Sequence, residues 1–140
     1  MKYSFGVIIL FVICGTACGP SVTDKDVYGR YEARFRDGRE VLILQPDFKY
    51  VHINLLHKGA PTTNSATWKL YEFHHGLFRE CHVELGDAVS FHDLLGQPVV
   101  PPTKMGGAWL VPIRGSVRQP KLVFSEDADI IFKRTARLEK

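Results

Sequence analysis

The sequence predicts an all-β fold, a small antiparallel up-and-down β-barrel or clam of about eight strands. Three observations carry this. Short runs with period-2 alternation of apolar and polar residues recur from Tyr28 to Arg134. Turn formers separate them at short intervals, among them Asp37-Gly38, Pro46-Asp47 and His74-His75-Gly76. The length of 140 residues suits one domain and one core, with chain enough to close a barrel whose interior is filled or narrow.

Residues 28–36 alternate, with Tyr31, Ala33 and Phe35 on one face and Arg30, Glu32, Arg34 and Arg36 on the other. Asp37-Gly38 then reads as a two-residue hairpin turn, because a type I′ turn needs positive φ at both positions. That turn pairs Arg36 with Arg39, Ala33 with Leu42 and Tyr31 with Leu44, which puts Tyr31, Ala33, Leu42 and Leu44 on one inner face. A third strand spans residues 49–56. A polar loop follows from His57 to Ser65, and a fourth strand spans 66–73 with Trp68 and Leu70 on one face. In the fifth, residues 77–85, Leu77, Cys81, Val83 and Leu85 point one way and Phe78, Glu80, His82 and Glu84 the other. Residues 87–95 read either as a short helix capped by Asp87 or as a loop. Residues 96–107 read as loop, since Pro98, Pro101 and Pro102 exclude a central strand. Strands at 108–114, 121–125 and 129–134 complete the set.

The first residues read as an address. Lys2 precedes an apolar run from Phe5 to Ile13, and small residues follow, the pattern of a secretory signal peptide. The stretch is shorter than the roughly 20 apolar residues a membrane-spanning helix needs. Gly15-Thr16-Ala17-Cys18 resembles the lipobox of bacterial lipoproteins: Cys18 matches the lipidated Cys, Ala17 and Thr16 match the small positions, and Gly15 departs from the usual Leu. The resemblance implies a signal peptide at 1–17 and a lipidated Cys18; a polar tether to residue 26, in which no fold is expected, then leads into the barrel domain at 27–140. Acyl chains on Cys18 would anchor the chain to a membrane. Gly19 after the Cys is similar to lipoproteins sent to the outer membrane, on its periplasmic or cell-surface face.

Tyr28-Gly29-Arg30-Tyr31, Arg39-Glu40-Val41-Leu42-Ile43-Leu44, Pro46-Asp47-Phe48-Lys49-Tyr50 and Thr67-Trp68-Lys69-Leu70 together resemble the small lipocalin-like domains of uncharacterised bacterial lipoproteins. The chain departs at Phe48, where Gly is usual, and at Ser65 or Ala66, where Gly would precede Trp68. These motifs are turns and core aromatics, so they imply a fold and carry no catalytic residue.

Composition limits the function classes. Eighteen Lys and Arg against 15 Asp and Glu leave a net charge of +3, too mild for a nucleic-acid stripe. With Cys14 in the signal and Cys18 lipidated, Cys81 stands alone and reads as a small buried hydrophobe. His74, His75, Glu80, His82 and Glu84 form the densest group of metal-ligating types. Adjacent His on a strand point to opposite faces and no H-E-x-x-H spacing occurs, so no metal and no cofactor is expected. Ser90, His92 and Asp93 have the residue types of a hydrolase triad, but no G-x-S-x-G elbow accompanies them, and no enzyme is expected. Basic groups at Arg30, Arg34, Arg36 and Arg39, and near the C-terminus, are interrupted by acids and read as solvated faces.

Two functions fit. One is a non-enzymatic, lipid-anchored barrel that binds a small apolar ligand or lipid, with Tyr31, Phe35, Tyr50, Trp68 and Trp109 as lining. The alternative is a partner-binding envelope lipoprotein, an assembly factor or an inhibitor or immunity protein. It would use the loops from Lys58 to Ser65 and from Pro98 to Gly107, since barrels carry function on loops.

Overall fold

A computed structural model describes residues 21–138, apart from 58, 77, 94 and 105. The signal segment and Cys18 lie outside the described residues. The described chain starts with a one-turn helix, α1 (Asp24–Val27), followed by β1 (Gly29–Phe35), β2 (Gly38–Leu44), β3 (Lys49–Leu56), β4 (Thr62–His75) and β5 (Phe78–Leu85). A hairpin of β6 (Val89–His92) and β7 (Pro98–Lys104) comes next, then β8 (Trp109–Ser116), β9 (Gln119–Ser125) and β10 (Ile130–Ala136).

Eight strands close an antiparallel barrel in the order β1-β10-β9-β8-β5-β4-β3-β2, with β1 paired to both β2 and β10. Closure satisfies both ladders of every wall strand and removes the sheet edges that invite aggregation. The meander is interrupted once. The β6–β7 hairpin leaves the wall after β5 and forms its own two-stranded sheet, and β8 then returns to pair with β5, Leu85 opposite Trp109.

The alternation seen in the sequence fills the interior. Tyr31, Leu42, Leu44, Tyr50, Trp68, Val83, Leu85, Val111, Leu122 and Phe132 point inward and are buried. Where β1 begins, called here the lower end, α1 closes the barrel. Asp26 accepts hydrogen bonds from the Thr23 amide (2.9 Å) and hydroxyl (2.7 Å), which holds the first turn. Val27 is buried, and its carbonyl accepts from the Tyr31 hydroxyl at 2.6 Å. Arg134 reaches across to donate to the carbonyls of Asp26 and Arg118. The tether expected to residue 26 is therefore folded from Thr23 onward, because a capped turn and the burial of Val22 and Val27 against the core compensate its ordering.

The β1–β2 register differs from the expected one by two residues. Arg34, not Arg36, faces Arg39, and Ala33 faces Glu40. The turn is Arg36-Asp37, and Gly38 is already in the sheet, opposite both Phe35 and Leu56. A Cβ at Gly38 would sit 2.2 Å from the Leu55 carbonyl oxygen. The glycine serves close strand approach rather than a positive φ. A shift of two preserves facing, so the expected inner face survives and Glu40 joins it.

Three other expectations need correction. The loop expected from His57 to Ser65 ends at Pro61, because Thr62 to Thr67 pair with β3 as the first half of β4; β4 is also longer at its far end, running through His74 and His75 to pair with β5 before turning at Gly76. Residues 87–95, read as helix or loop, contain strand β6. Residues 98–104, read as loop, form β7, whose prolines are tolerated because among the described residues it pairs with β6 alone.

Candidate functional site

The upper end of the barrel is closed differently. Phe35 from the end of β1, Trp109 from the start of β8, Phe124 from β9, and Ile130 and Phe132 from β10 ring the mouth, and the β6–β7 hairpin lies over it with Phe91, His92 and Val99. Between mouth and hairpin is a cavity of about 320 Å³. Its walls are mostly rings. Phe124 meets Trp109 edge-on at 4.5 Å and Phe132 at 4.6 Å, and Phe91 meets His52 at 4.7 Å.

Polar groups enter this apolar site in one chain. Glu40 and His52 alternate with Leu42 and Tyr50, so strand geometry turns them inward, and they are 4% and 3% exposed. His52 Nε2 lies 2.5 Å from Glu40 Oε2. The other Glu40 oxygen accepts from His92 Nδ1, and His92 Nε2 donates to Asp37 Oδ1 at 2.9 Å. The His92 ring also stacks on Phe35, centroids 3.8 Å apart and 8° from parallel.

Burial favours the neutral carboxyl of Glu40, but hydrogen bonds from His52 and His92 outweigh it and hold the group below its ordinary range. For His92, burial opposes the charge, and Glu40 and Asp37 reverse that and raise its titration above 6.5. When protonated, His92 is an imidazolium clamped from two sides, with a carboxylate at each nitrogen.

This geometry takes the candidate triad apart. His92 has no free nitrogen for Ser90, whose hydroxyl donates to the His92 carbonyl at 2.5 Å. Asp93 accepts from the amides of Leu95 and Gln97, both at 2.8 Å, and shapes the β6–β7 turn. The group around His82 is also dispersed. His74 is 3.3 Å from Glu72, Glu80 lies 3.9 Å from Arg114, and the His82 ring meets Phe73 edge-on. Among the described residues no three His, Cys, Asp or Glu side chains converge to hold a metal.

Of the expected lining, the structure brings Phe35 and Trp109 to the cavity. Tyr31, Tyr50 and Trp68 lie deeper, as packed core. Tyr31 bonds the Val27 carbonyl, Tyr50 the Gly86 carbonyl at 2.8 Å, and the Trp68 indole N–H the Gln45 carbonyl at 3.0 Å. Burial pushes the Tyr50 hydroxyl up to about 12. Cys81 faces inward near the lower end, and burial raises its thiol. Cys18 lies outside the described residues. The two expected contact loops approach each other at the upper end, where Thr62, Pro98, Val100 and Pro102 share a second cavity of about 520 Å³ with Leu56 and Asn54.

Sequence reasoning missed Glu40 and His52 as site residues and read His92 only as a catalytic candidate. The available signal was a polar residue at an inward position of an alternating strand. Comparison with protein-family models, with curated proteins and with solved structures finds no match to the chain.

Proposed function

We propose that this protein is a lipid-anchored, non-enzymatic envelope lipoprotein that carries a small apolar ligand at the upper end of its barrel. The observation that supports this most is the ring-lined cavity of about 320 Å³ beneath β6–β7, near the lower bound of the usual ligand-pocket range. Its polar groups satisfy one another, so the reading requires no charged partner on the ligand. Anchoring rests on the lipobox resemblance at Cys18. Labelled palmitate should enter the wild-type chain and not a Cys18→Ser variant; equal labelling contradicts the anchor.

Binding is tested with the neutral fluorophore N-phenyl-1-naphthylamine. The full chain in detergent should enhance its emission saturably above the detergent background. Ile130→Trp, which fills the cavity, should weaken that binding by about tenfold or more, for a loss of ~1.4 kcal/mol or greater. Unchanged binding in that variant contradicts the site.

The partner-binding reading is favoured by one observation. The two expected contact segments meet at the second upper cavity, where Val100 is 87% exposed. Under that reading, Val100→Asp would abolish a crosslink to an envelope protein and leave the fluorophore bound.

A further inference from the structure

We propose that the β6–β7 hairpin is a flap over the cavity, latched shut by His92 clamped between Glu40 and Asp37 and released as pH rises. The inference rests on the reading of this cavity as a ligand site and names how that site opens.

The flap's strand pairing is separate from the wall, and its burial rests on Ala88 and Phe91 beside His92. Among the described residues the flap forms no ladder with the barrel wall, and its own pairing is short, with an irregularity between Ser90 and His92. A lone two-stranded hairpin is marginal in water, so its place depends on what its side chains grip. Its two connections to the wall differ: the first is pinned, Gly86 donating to the Thr67 carbonyl at 2.9 Å and accepting from Tyr50, and the second is open and suited to bending. One runs through Gly86 and Asp87, where Asp87 has φ 45°. The other contains Gly106-Gly107, with φ 106° at Gly107 and open space around both glycines. Near the first connection, Asn64 donates to the Asp87 carbonyl at 3.1 Å.

Among the described residues, the ion pairs that tie the flap to the barrel are those of His92. The groups facing His92 are Glu40 from β2, with His52 of β3 behind it, Asp37 from the β1–β2 turn, and the Phe35 ring from β1. On its own element, Ser90 bonds the His92 carbonyl and Asp93 is turned to the hairpin amides. While His92 is charged, both nitrogens donate to carboxylates. Once it loses its proton, one nitrogen presents a lone pair to a carboxylate, and attraction there becomes repulsion. His92 has a raised titration, so the latch is intact below 6.5 and is lost as pH climbs through the raised value. Glu40 stays ionised below the ordinary carboxylate range, so its side of the latch persists into mild acid.

Hydrogen exchange followed by mass spectrometry tests this on the full chain in detergent, corrected for the intrinsic pH dependence of exchange. Between about pH 6 and about pH 9, protection of peptides from 87–107 should fall by about tenfold or more, while β2 and β3 peptides keep theirs. In His92→Gln the hairpin should exchange fast at both ends of the range. In Asp37→Asn, a milder change at a partly exposed side chain, the step should move to lower pH because His92 loses one of its carboxylates. A hairpin whose protection ignores pH overturns the latch. So does a step that survives His92→Gln, one that Asp37→Asn does not move, or one shared equally by β2 and β3. The readout needs no ligand. A pH-independent hairpin in a protein that still binds N-phenyl-1-naphthylamine overturns the latch alone, and a pH-gated hairpin in a protein that does not bind it leaves the latch standing and removes the ligand reading.

Discussion

At the scale of single residues, Glu40 is the keystone of the upper end, because it accepts from two imidazoles inside an apolar mouth. Removing one partner of a buried charged cluster leaves the others uncompensated, at a cost of about 3–5 kcal/mol. Glu40→Gln should therefore lower the unfolding free energy measured in urea by that order, and a change below about 1 kcal/mol would mean the cluster is solvated. Half of this was legible: Glu40 and His52 share parity with Leu42, Leu44 and Tyr50. Their purpose was not, because His92, the group that gives them a reason to be inside, is 52 residues from Glu40 and lies in an insertion. Phe48 is a second case. It replaces the Gly of the resembled motif, and it adopts φ 61° while its ring leans on Trp68 at 5.5 Å. The left-handed region costs a side chain roughly 1–2 kcal/mol. Phe48→Gly should then be more stable than Phe48→Ala by about 1 kcal/mol in thermal unfolding; the reverse order would deny the strain.

At the scale of elements, the alternating strands were the most legible part. Eight predicted runs became the eight strands of the wall, since a half-buried strand writes its period directly into the sequence. Errors gathered where a residue serves two purposes. Gly38 reads as a turn glycine and is instead a contact point between β2 and β3, which moved the register by two. Gly38→Ala should destabilise the barrel by about 1–3 kcal/mol through overpacking against Leu55, measured by urea unfolding; a neutral effect would return Gly38 to the turn. Thr62 to Ser65 read as loop because they are polar, yet strand pairing needs backbone more than apolar side chains. The β6–β7 hairpin was illegible because its prolines argue only against a central strand. Leu85 and Trp109 are paired directly, so an Asn-Gly turn can replace residues 86–108 and close β5 onto β8. That shortened chain should keep a β-rich circular dichroism spectrum and lose N-phenyl-1-naphthylamine binding. Retained binding would place the ligand elsewhere.

At the scale of the whole molecule, the barrel has two unlike ends. The lower end is covered by α1 and Arg134, beside a groove of about 490 Å³ lined by Val22, Cys81 and Ile113, and the upper end by a side-chain latch over a cavity. The latch also shapes stability against pH. Glu40, held below 4.5, contributes above that value, and its share is lost as pH falls through its lowered titration. His92, held above 6.5, contributes below that value, and its share is lost as pH rises through its raised titration. Thermal stability should therefore be highest between those limits and fall on both sides, with the alkaline fall reduced in His92→Gln. The central claim is that the upper cavity carries an apolar ligand, and its most direct test is native against denaturing mass spectrometry of the full chain purified gently from its own host's envelope. The account predicts extra mass in the native spectrum that disappears on denaturation and is missing from Ile130→Trp. A bare wild-type chain, or the same extra mass on Ile130→Trp, would contradict it.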